Sequence, residues 1–293
     1  MNGPGIIDLH MHTLLSDGTD TPEQVLQRAR EAGMTLFSVT DHDSIESSRL
    51  LPPLLSEGDP RFLPGVEFSC RDELGKYHIL GYGYAPDGPA IGAVVEKGHG
   101  LRMKKVRARL AFLADAFGFS FPEAEVDALL SLNNPGKPHI GNLMVRHGYA
   151  STKGEAIRNY IDKLRLPNEY IRPEEAIEGI LRSGGIPVLA HPAYGSGDQL
   201  ILGEEMDSRI RRLMGFGLQG LEAYYSGFTD KLRQQILSFA ARYGLYVTAG
   251  SDYHGANKLV QLGDTGLRVE EDLPTGLTRF LREARKRAFP AGE

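Results

Sequence analysis

The sequence predicts an α/β protein in which strands alternate with helices around a mostly parallel sheet or barrel. Seven apolar runs of strand length each end in a polar break. Several stretches between these runs have an amphipathic helical pattern, as expected for βα units. The alternation stops between 90 and 170, where the patterns are helical only, so we expect a helical insertion between the fourth and fifth strands.

The seven predicted strands contain β-branched and aromatic residues and are bounded by Gly, Pro, Asp or Ser. In chain order they are "GIIDLHMH", "LFSVTDHD", "FLPGVEFSC", "YHILGYGY", "IPVLAHP", "LQGLEAYY" and "LYVTAGSDYHG".

The clearest helix signal is "TPEQVLQRAREAG". Thr21 fits the N-cap, Pro22 the first helical position and Gly33 the stop. The segments "RPEEAIEGILRSGG" and "DKLRQQILSFAARYG" have the same start, apolar stripe and terminal glycine. We therefore expect barrel segments over 1–89 and 171–293, and a substrate-capping helical insertion over 90–170 that contains "GLRMKKVRARLAFLADAFG".

Composition narrows the class of protein. The chain has 293 residues, 41% hydrophobic and 24% charged, with a net charge of −5. These values are those of a globular protein and argue against a basic coat for duplex DNA. Cys70 is the one cysteine in the sequence, so a metal would be held by imidazoles and carboxylates. No signal peptide or membrane span is recognisable, and we expect a cytoplasmic protein without membrane partners.

Histidines carry the strongest functional signal. His10 and His12 are two residues apart in a strand and point to the same face. Such a pair alone is weak, since a histidine in a strand is usually a hydrogen-bonded structural residue. Three more, His42, His191 and His254, follow the carboxyl ends of predicted strands, where α/β proteins carry their sites. His78 lies near the start of its run and fits less well.

Carboxylates accompany these histidines. Asp17 follows the first strand, Glu67 ends the third run, and Asp252 shares a face with His254. Burying so many titratable groups without counter-ions would be costly. Six histidines and three acids exceed the positions around one ion, so two or three divalent ions are expected. Manganese is favoured, with iron or zinc as alternatives.

Several linked motifs in order resemble the PHP (polymerase and histidinol phosphatase) superfamily of metal-dependent phosphoesterases. They are "DLHMHTLLSDGTDTPEQVLQRAREAGMTLFSVTDHDS", "PGVEFSC", "HILGYGY", "LAHPAY" and "TAGSDYHG". The insertion, with "KPHIGNLMV", and the later "GGIPVLAHP" resemble a stand-alone bacterial group of nucleoside 3',5'-bisphosphate phosphatases and 5'-to-3' exoribonucleases. The resemblance implies a distorted (β/α)7 barrel.

The resemblance also implies a trinuclear metal site. By motif position, His10, His12, Glu67 and Asp252 would hold a first ion. Glu67 would bridge to a second ion held by His78 and His191. Asp17, His42 and His254 would hold a third. A metal-activated hydroxide would attack phosphorus, and Asp252 or His254 would act as the catalytic proton carrier.

Substrate contacts are expected from the insertion. Lys137 and His139 lie in "KPHIG", which resembles a phosphate-contacting "RPH" motif with Lys in place of Arg. Arg102 belongs to the basic run "RMKKVRAR", for which a solvated helix face is an equally good interpretation.

Other residues near these motifs are expected to have supporting roles. Asp41 and Asp43 could orient His42, as carboxylates often do beside ligating imidazoles. Cys70 is expected to pack, and Tyr224, Tyr225 and Tyr253 are favoured as packing residues over base-stacking ones.

Three functions remain open at this level. The favoured one is a phosphatase acting on a small nucleotide of the 3',5'-bisphosphate type; the second is an exonuclease on short 5'-phosphorylated RNA. The third is a metal-binding PHP scaffold without catalysis, which intact ligand positions disfavour. An amidohydrolase acting on a C–N bond is a weaker fourth. The protein is expected to be a monomer that binds no duplex DNA.

Overall fold

The computed structural model describes residues 5–132, 134–167, 169–195, 199–268 and 272–290. The chain divides into two compact units. Unit 1 comprises the residues up to Val95 and those from Ile171 onward, and unit 2 comprises Glu96–Tyr170. The border of the second unit thus falls at 96, whereas the sequence placed the start of the helical insertion at 90.

The strands all lie in unit 1. They are β1 (Ile6–Asp8), β2 (Met34–Phe37), β3 (Arg61–Phe62), β4 (Gly65–Asp72), β5 (Gly75–Tyr82), β6 (Ile186–Leu189), β7 (Gly220–Tyr225) and β8 (Tyr246–Gly250).

Helices flank these strands in unit 1 and make up most of unit 2. They are α1 (Pro22–Glu31), α2 (Glu46–Leu50), α3 (Pro89–Phe117), α4 (Glu123–Leu130), α5 (Lys137–Arg146), α6 (Lys153–Asn159), α7 (Pro173–Arg182), α8 (Gly203–Gly215), α9 (Asp230–Tyr243) and α10 (Thr275–Arg285). Short 3₁₀ turns occupy Pro52–Leu54, Ile161–Lys163 and Gly255–Asn257. No helix of the described residues is long and apolar enough to cross a membrane.

Helix starts follow the signals in the sequence. Thr21 caps α1 by accepting the backbone N–H of Gln24, and the Gln24 side chain accepts the Thr21 N–H in return. Thr229 caps α9, which ends at Gly244 in the left-handed conformation that glycine adopts without strain. Both helices therefore begin and end where the sequence predicted.

The α/β class is confirmed. The strand pairing of the described residues forms two sheets and does not form a closed seven-stranded barrel. The described strands form a three-stranded sheet, in the order β1-β2-β3, and a five-stranded sheet, in the order β4-β5-β6-β7-β8. The run "FLPGVEFSC" holds two strands because Pro64, which has no N–H to donate, separates β3 from β4.

The second departure from the expectation is strand direction. β4 and β5 are joined by two residues and form an antiparallel hairpin, since so short a connection cannot return a strand in parallel. β5 also pairs antiparallel with β6, whereas β6, β7 and β8 are parallel. The hairpin matters for the site, because it carries Glu67 and His78 on neighbouring strands.

Backbone hydrogen bonds connect the two sheets of unit 1 at both sides. The Leu9 N–H donates to the Ala249 carbonyl at 2.9 Å, which joins the end of β1 to β8. The Asp43 N–H donates to the Glu67 carbonyl at 2.9 Å, which joins the chain after β2 to β4. The end of β1 is therefore held beside β8, and the segment that follows β2 is held beside β4.

The interior of unit 1 is apolar. Its larger core includes Phe68, Ile79, Tyr82 and Phe280, and a smaller core around Phe37 packs α1 against β2. Unit 2 has a separate core formed by α3 to α6, in which Val106, Leu113, Ile140 and Met144 are buried. Each unit thus buries its own apolar face.

Candidate metal centre

Glu67 lies at the centre of a histidine cluster. Its side chain is only 1% exposed, and both carboxylate oxygens face imidazole nitrogens. Oε2 lies 3.2 Å from Nε2 of His10, 3.2 Å from Nε2 of His12 and 3.1 Å from Nδ1 of His42, while Oε1 lies 2.8 Å from Nδ1 of His78 and 3.2 Å from Nε2 of His191. One buried carboxylate therefore contacts five imidazoles.

The local fold explains why these side chains meet. His10 and His12 extend β1 and share a face, and His42 follows β2. In the β4–β5 hairpin His78 pairs with Ser69, so it lies diagonally across from Glu67 on the same face. His191 follows β6 directly. The weaker sequence signal of His78 arises because β5 runs opposite to β6.

Aspartates complete the cluster. Oδ1 of Asp252 lies 3.3 Å from Nε2 of His12 and 3.6 Å from Nε2 of His10. Asp17, on the loop after β1, has Oδ1 at 3.2 Å from Nε2 of His254. All nine residues predicted from the sequence as metal ligands therefore lie in one connected cluster in unit 1.

Three sets within the cluster have ligand atoms close enough to share an ion. In each set the ligand atoms lie within 4.8 Å of one another. The sets are His12, Asp17, His42 and His254; His10, His12 and Glu67; and His42, Glu67 and His78. His12 and His42 each belong to two sets, so these groups overlap more than the assignment implied by the family resemblance.

The donor atoms fit a divalent cation. The Nε2 atoms of His10 and His12 are buried and make no hydrogen bond with any residue that the structure describes, although they converge on Glu67 and Asp252. A buried nitrogen in this state is costly unless a ligand satisfies it. Imidazole and carboxylate without thiolate suit zinc, iron or manganese.

Charges within the cluster are strongly coupled. Burial alone would raise the pKa of Glu67, but His78, His10 and His42 hold it well below its usual range. Burial likewise opposes protonation of His12, yet Asp252 and Glu67 raise its pKa to about 9. Binding of a cation would therefore displace protons from imidazoles, as is general for histidine metal sites.

Backbone strain is concentrated in the same place. Three non-glycine residues of the described chain have positive φ, namely Asp43 at 52°, His191 at 26° and Asp252 at 60°. Such conformations are unfavourable for L-residues and persist where surrounding contacts impose them. Two of the three are predicted ligands, so the fold strains the backbone in order to aim these side chains.

Residues that the sequence did not single out support the cluster. Glu222 in β7 is fully buried and lies 2.8 Å from Nδ1 of His10. Asp8 accepts the N–H of Ser251 at 2.9 Å, and burial raises its pKa to about 6. In the sequence, Asp8 and Glu222 are each a carboxylate inside an apolar strand run. A buried carboxylate is rare unless it has partners, so this pattern could have identified both residues.

Two further contacts concern Asp252. Its Oδ2 accepts hydrogen bonds from the Tyr225 hydroxyl at 2.8 Å and from Nζ of Lys258 at 2.6 Å, which leaves Oδ1 facing the histidines. Burial and then Asp252 raise the pKa of Tyr225, so its hydroxyl remains a donor. Tyr225 therefore does more than pack, which is the role that the sequence favours for it. Lys258 lies in no motif that the sequence analysis recognised.

Asp41 and Asp43, on either side of His42 in the sequence, bind the loops around it. Asp41 accepts hydrogen bonds from Thr13, Ser16 and Ser47, and Asp43 accepts the Ser69 N–H at 2.9 Å, so the contacts of both aspartates shape loops beside His42. The Cys70, Tyr224 and Tyr253 side chains are buried in the cores of unit 1.

The three predicted substrate-binding residues lie in unit 2 near the start of α5. Lys137 forms an ion pair with Asp162, and Nδ1 of His139 accepts the Gly136 N–H at 3.2 Å. A Cβ on Gly136 would lie 3.7 Å from the Arg102 guanidinium, which places Arg102 at the same helix end. The structure thus gathers Arg102, Lys137 and His139, and their role toward a substrate stays a prediction.

Comparison with known proteins agrees with this geometry. The model of the PHP domain matches residues 8–118, which include the histidines and carboxylates of the first five strands. The resemblance to the PHP superfamily recognised in the sequence motifs is confirmed, and the protein is a metal-dependent phosphoric ester hydrolase.

Curated relatives cover nearly the whole chain. A phosphoribosyl 1,2-cyclic phosphate 1,2-diphosphodiesterase of Eggerthella lenta is 29% identical over 90% of this chain and 99% of its own. A 3',5'-nucleoside bisphosphate phosphatase of Chromobacterium violaceum is 28% identical over 96% of this chain and 97% of its own. A 5'-3' exoribonuclease of Haemophilus influenzae is 25% identical over 91% and 96%.

Solved structures share the fold. An amidohydrolase from Chromobacterium violaceum, with bound sulfate and no metal, superposes with a TM-score of 0.78 at 26% identity, covering 98% of this chain and 99% of that one. A candidate metal-dependent phosphoesterase from Bifidobacterium adolescentis gives a TM-score of 0.74 at 27% identity, with 96% of both chains covered. Phosphoester hydrolysis is therefore the chemistry that the site and the curated relatives support.

Proposed function

We propose that this protein is a phosphatase that removes a terminal phosphate from a small nucleotide of the 3',5'-bisphosphate type. The contact of Glu67 with five imidazoles carries the proposal, since a buried carboxylate shared in this way suits bridging of cations. The similarity to the nucleoside bisphosphate phosphatase of Chromobacterium violaceum supports the substrate class.

The ligand assignment within the cluster is also a proposal. His10, His12, Glu67 and Asp252 would hold one ion, Glu67 with His78 and His191 a second, and Asp17, His42 and His254 a third. The mutual distances support it, since Glu67 Oε1 lies within 3.2 Å of both His78 and His191. A trinuclear manganese site is favoured, with iron or zinc as alternatives, because the donors are nitrogen and oxygen only.

When bound, the ions supply Lewis acidity that activates water and neutralises phosphate charge. The protein residues have separate tasks. Asp252 and His254 are the proton carriers: one accepts a proton from the attacking water and the other donates a proton to the leaving oxygen. Tyr225 and Lys258 donate hydrogen bonds to Oδ2 of Asp252, so that its Oδ1 stays available. Arg102 and Lys137 supply positive charge for a second phosphate, and His139 contributes the N–H of its other ring nitrogen as a hydrogen-bond donor.

The strongest alternative is a 5'-to-3' exoribonuclease acting on short 5'-phosphorylated RNA, supported by the relative from Haemophilus influenzae. A phosphodiesterase on a cyclic ribose phosphate follows from the Eggerthella lenta relative in the same way. The exoribonuclease and the cyclic phosphodiesterase would both use the same histidine cluster. They would differ in the size and shape of the substrate that the surface around the cluster accommodates. A scaffold without catalysis is disfavoured because all nine predicted ligand positions cluster. We also propose a cytoplasmic monomer, from composition alone.

The test compares these substrates directly. Phosphate and nucleotide release would be measured for the manganese-loaded and the metal-stripped protein on adenosine 3',5'-bisphosphate, a 5'-phosphorylated RNA length series and a cyclic ribose phosphate. Rapid phosphate release from the bisphosphate alone is the expected result. Mononucleotides released from longer RNA, or turnover of the cyclic ester alone, would replace the phosphatase proposal. Equal activity of the stripped protein would refute metal dependence.

A further inference from the structure

Glu222 occupies an unusual position for a carboxylate. It lies in the middle of β7, between the core residues Leu221 and Ala223, and its side chain is fully buried. A carboxylate without water is costly unless both oxygens accept hydrogen bonds. Its partners therefore explain why this position carries an acid, and they are both histidines of the cluster.

The two oxygens of Glu222 have different partners. Oε1 lies 2.8 Å from Nδ1 of His10, and Oε2 accepts the backbone N–H of His191 at 2.8 Å. His10 follows β1 and His191 follows β6, so the carboxylate joins two separate segments of unit 1. Neither contact uses the nitrogen atoms that face Glu67.

The contact with His10 selects one tautomer of its ring. A proton on Nδ1 donates to Glu222, which leaves the lone pair on Nε2. Nε2 is the atom that faces Glu67 at 3.2 Å and Asp252 at 3.6 Å without a hydrogen bond. Orientation of a ligating imidazole through its other nitrogen is a general device of metal sites.

The contact with His191 stabilises a strained backbone. His191 has φ of 26°, which an L-residue adopts only under constraint. The bond from its N–H to Glu222 supplies such a constraint and directs the ring so that Nε2 lies 3.2 Å from Oε1 of Glu67. The same carboxylate thus acts on both sides of Glu67.

We propose that Glu222 is a positioning residue that prepares two neighbouring metal positions at once, by fixing His10 as an Nε2 ligand and by holding the His191 backbone. The inference rests on the proposed metal site. It predicts that ion occupancy on both sides of Glu67 depends on a residue that touches no ion.

The decisive variant is Glu222→Gln, which preserves size. If the amide oxygen accepts from His191, the amide nitrogen faces His10 and favours the tautomer with its proton on Nε2, the wrong one for binding. If the amide oxygen instead faces His10, the amide nitrogen opposes the His191 N–H, two donors in contact. Neither orientation satisfies both partners.

Asp72→Asn is the matched control. Asp72 is also a buried carboxylate on a strand of unit 1, with Oδ1 accepting the Leu74 N–H at 2.8 Å and Oδ2 accepting Nε of Arg212 at 2.9 Å. Neither of these partners belongs to the histidine cluster. It therefore reports the general effect of neutralising a buried acid.

The measurement is calorimetric titration of stripped protein with manganese, with bound metal counted after dialysis. We expect Glu222→Gln to weaken ion binding by about 10- to 100-fold at two sites, the range typical of such orienting residues. Asp72→Asn should bind as the wild type does. In zinc-loaded protein, the wild type should show a slowly exchanging Nδ1 proton of His10, and its absence from the wild type would overturn the tautomer assigned to His10.

The outcomes separate the two proposals. A wild type that binds no ion would refute the metal site itself, whatever Glu222 does. A wild type that binds ions, with an equally tight Glu222→Gln variant, would overturn the role of Glu222 alone. Equal weakening in Asp72→Asn would also overturn it, since the loss would then reflect general destabilisation.

Discussion

The Asp41 carboxylate accepts both the backbone N–H of Thr13, at 2.7 Å, and the Thr13 hydroxyl, at 2.8 Å. The hydroxyls of Ser16 and Ser47 donate to the same carboxylate, at 2.7 Å and 2.5 Å. From the sequence, Asp41 is expected to orient the ring of His42, its neighbour in the chain. The structure instead shows an acid that holds the loop after β1 against the start of α2.

Replacement of Asp41 by asparagine should therefore destabilise the protein. The amide nitrogen cannot accept a hydroxyl proton, and Asp41 is fully buried, so at least one donor loses its partner. We expect the free energy of unfolding in urea to fall by about 1–3 kcal/mol. Glu57→Gln, on an exposed loop, should change it by less than about 0.5 kcal/mol. An unchanged stability of Asp41→Asn would contradict the importance of these bonds.

His12→Ala should abolish hydrolysis and lower metal content while the fold is retained. His12 contacts Glu67 and Asp252, and it belongs to two of the three candidate ion sets. Metal analysis, phosphate release and far-ultraviolet circular dichroism check the three statements. His147→Ala, which removes an imidazole from unit 2 that pairs with Glu125, should keep its metal. Full activity of His12→Ala would remove this residue from the site.

Lys137→Ala should raise KM with little change in kcat. A lysine that binds a phosphate distant from the reacting one contributes equally to ground state and transition state. Steady-state kinetics on the bisphosphate measure both constants. Lys104→Ala, which breaks an exposed ion pair with Glu169, is the control and should leave KM unchanged. A fall in kcat at constant KM for Lys137→Ala would disagree with a binding role.

Tyr225→Phe should weaken ion binding by about tenfold without unfolding the protein. The variant removes one of two donors to Oδ2 of Asp252 and leaves Lys258 in place. Calorimetric titration with manganese provides the measurement. Tyr246→Phe, on the neighbouring strand β8, changes a ring that packs against Phe280 and Arg279, and it should bind as the wild type does. Identical affinities for both variants would show that the Tyr225 hydroxyl is dispensable.

Acid sensitivity should depend partly on Asp59. The Arg30 guanidinium, followed by the Ser56 N–H, lowers the pKa of Asp59 to about 2 from an ordinary 3.8. Because the folded value is the lower one, the stabilisation is complete above pH 4 and disappears as the pH falls toward 2. Asp59→Asn should therefore cost stability at pH 6 and less at pH 3 in urea titrations. A cost that grows on acidification would reverse this sign.

Much of the site could be predicted from the sequence because its residues follow local rules. His10 and His12 share a face by the alternation of a strand, and Asp252 and His254 repeat that spacing. His42 and His191 follow strand ends, which meet at one edge wherever strands run parallel. These are properties of single segments, so spacing and apolar runs are sufficient to indicate them.

The less accurate predictions concern pairing between segments. Pro64 divides an apolar run into β3 and β4, and the hairpin turns β5 antiparallel. His78 consequently reaches Glu67 across a ladder rather than from a strand end. Glu222 was overlooked for the same reason, since its role depends on contact with His10, 212 positions away in sequence.

Most of the elements, the donor types and the class of chemistry follow from the sequence alone, because strand alternation, helix caps and the scarcity of thiols are local properties of the chain. Tertiary structure alone decided which oxygen faces which nitrogen. Glu67 meets five imidazoles, Asp252 divides its two oxygens between histidines and Tyr225, and Glu222 joins His10 to His191. Such relationships depend on distances fixed when separate strands pack together, and no periodicity in the chain records them.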